Sequence, residues 1–167
     1  FREVAELLTD AGELSIQPAE LAQLRGRAYL YTRAYAPAIA ELRAQLATLQ
    51  PGDEWWQQRG RAELELLLGL HLQRTDDPAG ARDTLEAAIR GFEAAAAHAP
   101  DVLLQQRLAE ARSALAALLL SGKVGPDRIA DGRNLRSAAE QWYRGSGPGY
   151  AWRLDNLRAL GRSLATP

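Results

Sequence analysis

Two histidines, His71 and His98, are the first places to look for chemistry, since the chain has no cysteine and imidazole titrates near neutrality and binds metals. His71 lies in Leu70-His71-Leu72 without a second histidine at the i, i+4 spacing that puts two ligands on one helical face. It reads as a packed or partly exposed helical residue. His98, in the last turn before Pro100, suits the negative end of a helix dipole. The acid pairs Asp53-Glu54 and Asp76-Asp77 precede or begin helices, where a carboxylate caps free N–H groups, so capping is preferred to acid–base work. Gly145-Ser146-Gly147-Pro148-Gly149 matches neither a phosphate loop nor a nucleophile elbow. Both follow a strand, the first needs Gly-Lys before Ser or Thr, and Gly122-Lys123 is followed by Val124. The glycines read as a connection between helices. No catalytic residue, cofactor or metal is predicted.

The aromatic residues carry more information. Tyr31 and Tyr35 share a helical face at four-residue spacing. Trp55 and Trp56 point about 100° apart on a helix and cannot both face one core. Trp142-Tyr143 and Tyr150-Ala151-Trp152 flank the glycine connection and are expected to clasp the last helix onto the rest.

Those residues must be positioned by helices. Ala, Leu, Arg and Glu dominate while Val, Ile and Thr are scarce, which favours an all-α fold because β-branched side chains lose rotamer freedom in a helix. Proline punctuates the chain: Pro18, Pro37, Pro78, Pro100, Pro126 and Pro148 each head a run of helical periodicity, and Pro51 ends one. The expected helices are a short one near Arg2–Asp10, then Pro18–Arg33, Pro37–Leu49, Asp53–Arg74, Pro78–Ala97, Asp101–Leu120, one ending near Tyr143, and Pro148–Leu164. Residues Ser121–Asn134 read as a loop or a frayed helix start. Short connections make sequential helices antiparallel neighbours. The Asp53–Arg74 helix is apolar round most of its circumference and so is an interior helix.

With 167 residues, 47% apolar and 25% charged, the chain supports one domain. Its formal net charge of −1 supplies no field to draw nucleic acid or anionic lipid, and the basic residues after Asp101 are interleaved with acids as on a solvated surface. No apolar run approaches the roughly 20 residues of a membrane span. A soluble chain is expected, its compartment unknown, with the cytoplasm favoured. It begins with Phe and contains no methionine, and is read as a fragment of a larger protein.

An internal repeat is visible. Gly26, Tyr29, Ala38 and Leu42 are followed in the same frame by Gly69, Leu72, Ala81 and Leu85, with Ala88 three further on, at an offset of 43 residues (69 minus 26). Two helices of a hairpin approach closely only where Gly or Ala faces the partner, and large residues then fill the flanks. This frame resembles the tetratricopeptide repeat (TPR), through Leu68-Gly69, Leu72, Ala81, Leu85 and Ala88 and, less fully, Gly26, Tyr29, Ala38 and Leu42. Departures are Arg25 in place of Leu, Gln45 in place of the second Ala, Leu72 in place of the aromatic, and no early Trp. The period exceeds the usual value of about 34, as in the extended repeats of kinesin light chains and of arrays attached to bacterial signalling proteins.

The resemblance implies hairpins at about 17–50, 53–98 and 101–144, stacked as a right-handed α-solenoid and closed by a capping helix at 148–164. It implies a groove lined by the first helix of each hairpin, at Glu20, Gln23, Arg27 and Tyr31 and then at Glu63, Leu66, Leu70 and Gln73. These residues do not supply the family's carboxylate clamp for chaperone tails, which needs Lys and Asn. The function implied is a non-catalytic scaffold or adaptor that binds a peptide or protein surface and is appended to a bacterial signalling or regulatory protein. A structural oligomerisation or spacer domain, forming a homo-oligomer, is the alternative, and an all-α ligand-binding bundle the third. Leu66 and Leu70 decide the matter, since they either pack or line the groove.

Overall fold

The computed structural model describes residues 18–49, 52, 54–99 and 101–163. The short helix expected near residues 2–10, with Pro51, Asp53 and Pro100, lies outside the described residues. The elements are α1 (Pro18–Thr32), α2 (Tyr35–Thr48), α3 (Trp55–Leu72), α4 (Pro78–His98), α5 (Val102–Leu120), α6 (Ile129–Gly145) and α7 (Ala151–Ser163). Among the described residues there is no strand, and no helix is long and apolar enough to cross a membrane.

The helix ends follow local chemistry. Pro18 and Pro78 stand at the first helical position, where a missing N–H goes unnoticed. The Asp77 carboxylate accepts the Gly80 N–H at 2.8 Å and Asp101 accepts that of Leu104 at 2.7 Å, so one free donor is satisfied at each cap. Pro37 does not open its helix: α2 starts at Tyr35, which leaves Pro37 still inside the first turn. Pro126 and Pro148 head 3-10 turns, Pro126–Arg128 and Pro148–Tyr150, before α6 and α7 begin. The expected loop or frayed start at 121–134 is therefore a loop, a 3-10 turn and an ordered helix from Ile129. At the end of α1, Arg33 takes a left-handed conformation (φ 60°), and the Ala34 N–H donates back to the Tyr29 carbonyl at 3.1 Å. Glycine is the usual occupant of that position, and an L residue there costs about 1–2 kcal/mol.

The packing has α3 at its centre. Residues Ala62 to Gly69, His71 and Leu72 are all buried, because α1, α2, α4 and α5 each cover part of its circumference. The repeat frame acts where it was expected. A Cβ on Gly69 would stand 2.6 Å from Leu85 Cγ, so only glycine lets α3 and α4 meet there. Gly26 faces Leu42 in the same register of α1 and α2, at 3.5 Å from an added Cβ. In α5 and α6 the small residue changes sides: Gly132 on the second helix sits against Leu119 and Leu120 of the first.

Beyond consecutive neighbours, α1 packs on α3, and α3 more lightly on α5. Several side-chain bonds between the hairpins share a similar reach, while others are shorter, such as Arg27 to Glu63 at 36 residues and Arg112 to Glu93 at 19. His71 to Gly26 spans 45 residues, Gln73 to Ala114 spans 41, Arg107 to Glu63 spans 44, Arg128 to Glu86 spans 42, Tyr150 to Gln106 spans 44 and Arg153 to Glu110 spans 43. Each is close to the 43-residue offset of the glycine frame.

Candidate functional site

Ion pairs link α1 to α3, α3 to α5 and α5 to α7 in turn. Glu63 on α3 takes part in the first two. Its side chain is 8% exposed and accepts from Arg27 Nη2 of α1 at 3.0 Å and from Arg107 Nε of α5 at 3.1 Å, one guanidinium on each carboxylate oxygen. Arg107 also donates to Glu110 at 2.8 Å, and Glu110 accepts from Arg153 of α7 at 3.3 Å. The result is a ladder of alternating charge across four helices. Burying a carboxylate costs free energy that pairing and hydrogen bonding must offset, and here both oxygens are bonded.

The expected groove residues fall along the seam of α1 and α3, in three adjoining hollows. Arg27, Tyr31, Glu63, Leu66 and Leu70 line the middle one, together with Arg107, Glu110 and Arg153. Tyr31, Leu70 and Gln73 line a second with Arg33, Tyr35 and Arg74, at the carboxyl ends of α1 and α3. Glu20 and Gln23 line the third with Glu63 and the exposed Trp56, at the opposite end. The first two share Leu30, Tyr31 and Leu70, while the third meets the middle one only at Glu63.

The eight side chains are not equally available within these hollows. Leu66 is 2% exposed and belongs to the core, Glu63 is consumed by its two arginines, and the Gln73 amide donates to the Ala114 carbonyl of α5 at 2.6 Å. Glu20 and Tyr31 are exposed, and Gln23, Arg27 and Leu70 are half-buried. Both leucines line the middle hollow, but Leu66 is buried in the core, while Leu70 is only partly buried against it.

Sequence reasoning did not find Arg107, Glu110 or Arg153 and counted those basic residues as solvated surface. A signal existed: Arg107 stands 44 residues beyond Glu63, and Arg153 stands 43 beyond Glu110, one repeat apart with charge reversed.

His71 is wholly buried, its Nε2–H donating to the Gly26 carbonyl at 2.8 Å, with the Tyr35 ring edge-on at 6.0 Å. Nδ1 has no partner, so a second proton would have no acceptor, and burial lowers the imidazole pKa against the opposing effect of the Gly26 bond. It is a neutral strut between α3 and α1. Burial also raises the Glu65 carboxyl above its ordinary range, with Arg61, bonded at 2.9 Å, working the other way. His98 is exposed in the last turn of α4.

The aromatic clasp is present. Trp142 meets Tyr143 and Tyr150 edge-on, each at 5.2 Å, and Tyr143 stacks on Tyr150 at 5.8 Å. The Tyr150 hydroxyl donates to Gln106 at 2.9 Å, which fixes the start of α7 against α5. Trp152 stands outside the clasp, exposed, with the Arg153 guanidinium 4.8 Å from its ring centroid. The glycine segment is the connection between α6 and α7, turning at Gly147 with φ 98°. Among the described residues no three His, Cys, Asp or Glu side chains gather as metal ligands would. Comparison of the chain with protein-family models, with curated proteins and with solved structures finds no match in any of the three.

Proposed function

We propose that the chain is a non-catalytic interaction module: a short tetratricopeptide-like α-solenoid whose first helices present a track for a peptide or protein surface. The observation that supports this reading is that several inter-hairpin bonds, among them ones linking α1 to α3, α3 to α5 and α5 to α7, reach 41 to 45 residues, close to the 43-residue offset of the glycine frame. On that arrangement α7 stands to α5 as α5 stands to α3, through Arg153 and Tyr150, and so takes the place of the first helix of a further hairpin as well as closing the stack. The exposed Tyr31, the half-buried Leu70 and the partly exposed Arg27 supply aromatic, apolar and charged contact on one surface, the mixture that anchors peptide partners.

Selection of a random dodecapeptide display library on the chain tests the reading. Recovered peptides are expected to lose at least tenfold in affinity on Leu70→Lys, while the circular dichroism of the variant is unchanged. Peptides indifferent to Leu70→Lys, or none recovered, would count against it.

One observation favours the oligomerisation reading. The starts of α3 and α5 are tied by Arg59 to Asp101 at 3.4 Å, and they leave Trp56, Val102 and Leu103 exposed at 57%, 72% and 45%. If that surface joins two copies, sedimentation across a hundredfold concentration range shows a dimer that Trp56→Gln with Val102→Gln dissociates. A monomer throughout removes this alternative.

A further inference from the structure

The hollow at the carboxyl ends of α1 and α3 differs from the ladder beside it. In the ladder every arginine faces a carboxylate. In this hollow Arg33 and, one repeat later, Arg74 are both exposed, and among the described residues neither has an ion-pair partner. Leu30 and Leu70 line the same hollow, with Tyr31 67% exposed and Tyr35 edge-on to His71. Gln73, bonded to Ala114, is fixed rather than free to neutralise or cover the site.

Arg33 is also the only non-glycine residue with positive φ among those described. A positive charge at a helix carboxyl end is explained by the helix dipole, which any basic residue in the last turn satisfies. The dipole does not explain an arginine at the left-handed position that glycine fills without strain, opening on the same hollow as a second unpaired arginine. Strain held at one residue beside an open site is a pointer to use.

We propose that this hollow binds an acidic segment of a partner polypeptide, one carboxylate on Arg33 and another on Arg74, with an apolar side chain set between them on Leu30 and Leu70 beside Tyr31. Guanidinium groups take carboxylates through two parallel hydrogen bonds, and the apolar floor selects a peptide over a small anion. The inference rests on the groove reading above and adds the sign and position of the partner's charge.

The same dodecapeptide selection tests it. Recovered sequences are expected to be enriched in Asp or Glu next to Leu or an aromatic residue. For a recovered acidic peptide, Arg33→Gly and Arg74→Gln each lower affinity about tenfold, and 0.5 M salt lowers it further. Arg33→Gly is expected to keep or raise the thermal midpoint, so its loss of binding is not a loss of fold. Peptides sensitive to Leu70→Lys but not acidic, or unaffected by both arginine variants, overturn this inference and leave the groove reading standing. Recovery of no peptide overturns both. A dT12 oligonucleotide that binds more tightly than the acidic peptide overturns it in favour of a phosphate backbone.

Discussion

Around α3 the side chains that meet are leucines and alanines, whereas around α7 they are tyrosines, a tryptophan and an arginine. Leu64, Leu66, Leu67, Leu68 and Leu72 share one continuous core with Leu85, Phe92, Leu104 and Leu115. The end of the molecule has a separate small cluster, Ala109, Ala139, Tyr143 and Leu157, with Trp142 and Tyr150 against it. Dense apolar packing is not weakened by charge screening, and it opens mainly with the whole fold. Aromatic contacts and a partly exposed ion pair are weaker, and they open locally. The middle is built to hold shape and the end to be adjustable.

The hardest test of that contrast is a cavity in each region. Leu64→Ala is expected to cost about 3 kcal/mol in urea unfolding, since Leu64 is fully buried with core on every side. Leu157→Ala is expected to cost clearly less, and an equal cost would erase the distinction.

Next in size is pH. Burial lowers the folded pKa of His71, so the unfolded chain binds the proton first as pH falls. The associated stability is complete above the ordinary histidine value of 6.5 and is lost below it, at no more than about 1.4 kcal/mol per pH unit. Glu65 acts in the opposite sense, because its raised carboxyl takes up a proton in the folded state first and gains stability as pH falls. The difference between the wild type and His71→Gln, which keeps a donor for Gly26 but does not titrate, therefore isolates the histidine. Parallel pH profiles for the two proteins would refute the assignment.

The smallest effect belongs to the end. Arg153→Ala removes the link to Glu110 and the contact with Trp152, for a loss of about 0.5–1 kcal/mol. Hydrogen exchange should quicken several-fold over residues 151–163 and stay unchanged in α3. Faster exchange in α3 as well would show that the two regions are not separable.

The helices were legible in the sequence because their signals are local. Pro18, Pro78 and Asp77 announce starts within a few residues, and the leucines of α3 announce burial on all sides. The glycine frame was legible once the two copies were aligned. Leu66 was not, because an inward leucine and a groove-lining leucine occupy the same stripe of a helix until the neighbouring helices are placed. Nor was the charge ladder, since Glu63 and Arg107 mean nothing to one another until α3 and α5 lie side by side. Pro37 misled by one turn fraction, since proline is tolerated throughout the first turn and does not mark its first residue.

The reach of the inter-hairpin bonds also has a mechanical consequence. A tensile load applied to the two ends passes from hairpin to hairpin through bonds of which six span about one repeat, and none of those six ties the first hairpin to the last. Stretching should therefore release the chain in instalments of one repeat, each adding roughly 150 Å of contour length at about 3.4 Å per residue. The α7 end should yield first and α3 last, so the molecule would behave as a graded spring whose soft coil is the aromatic clasp.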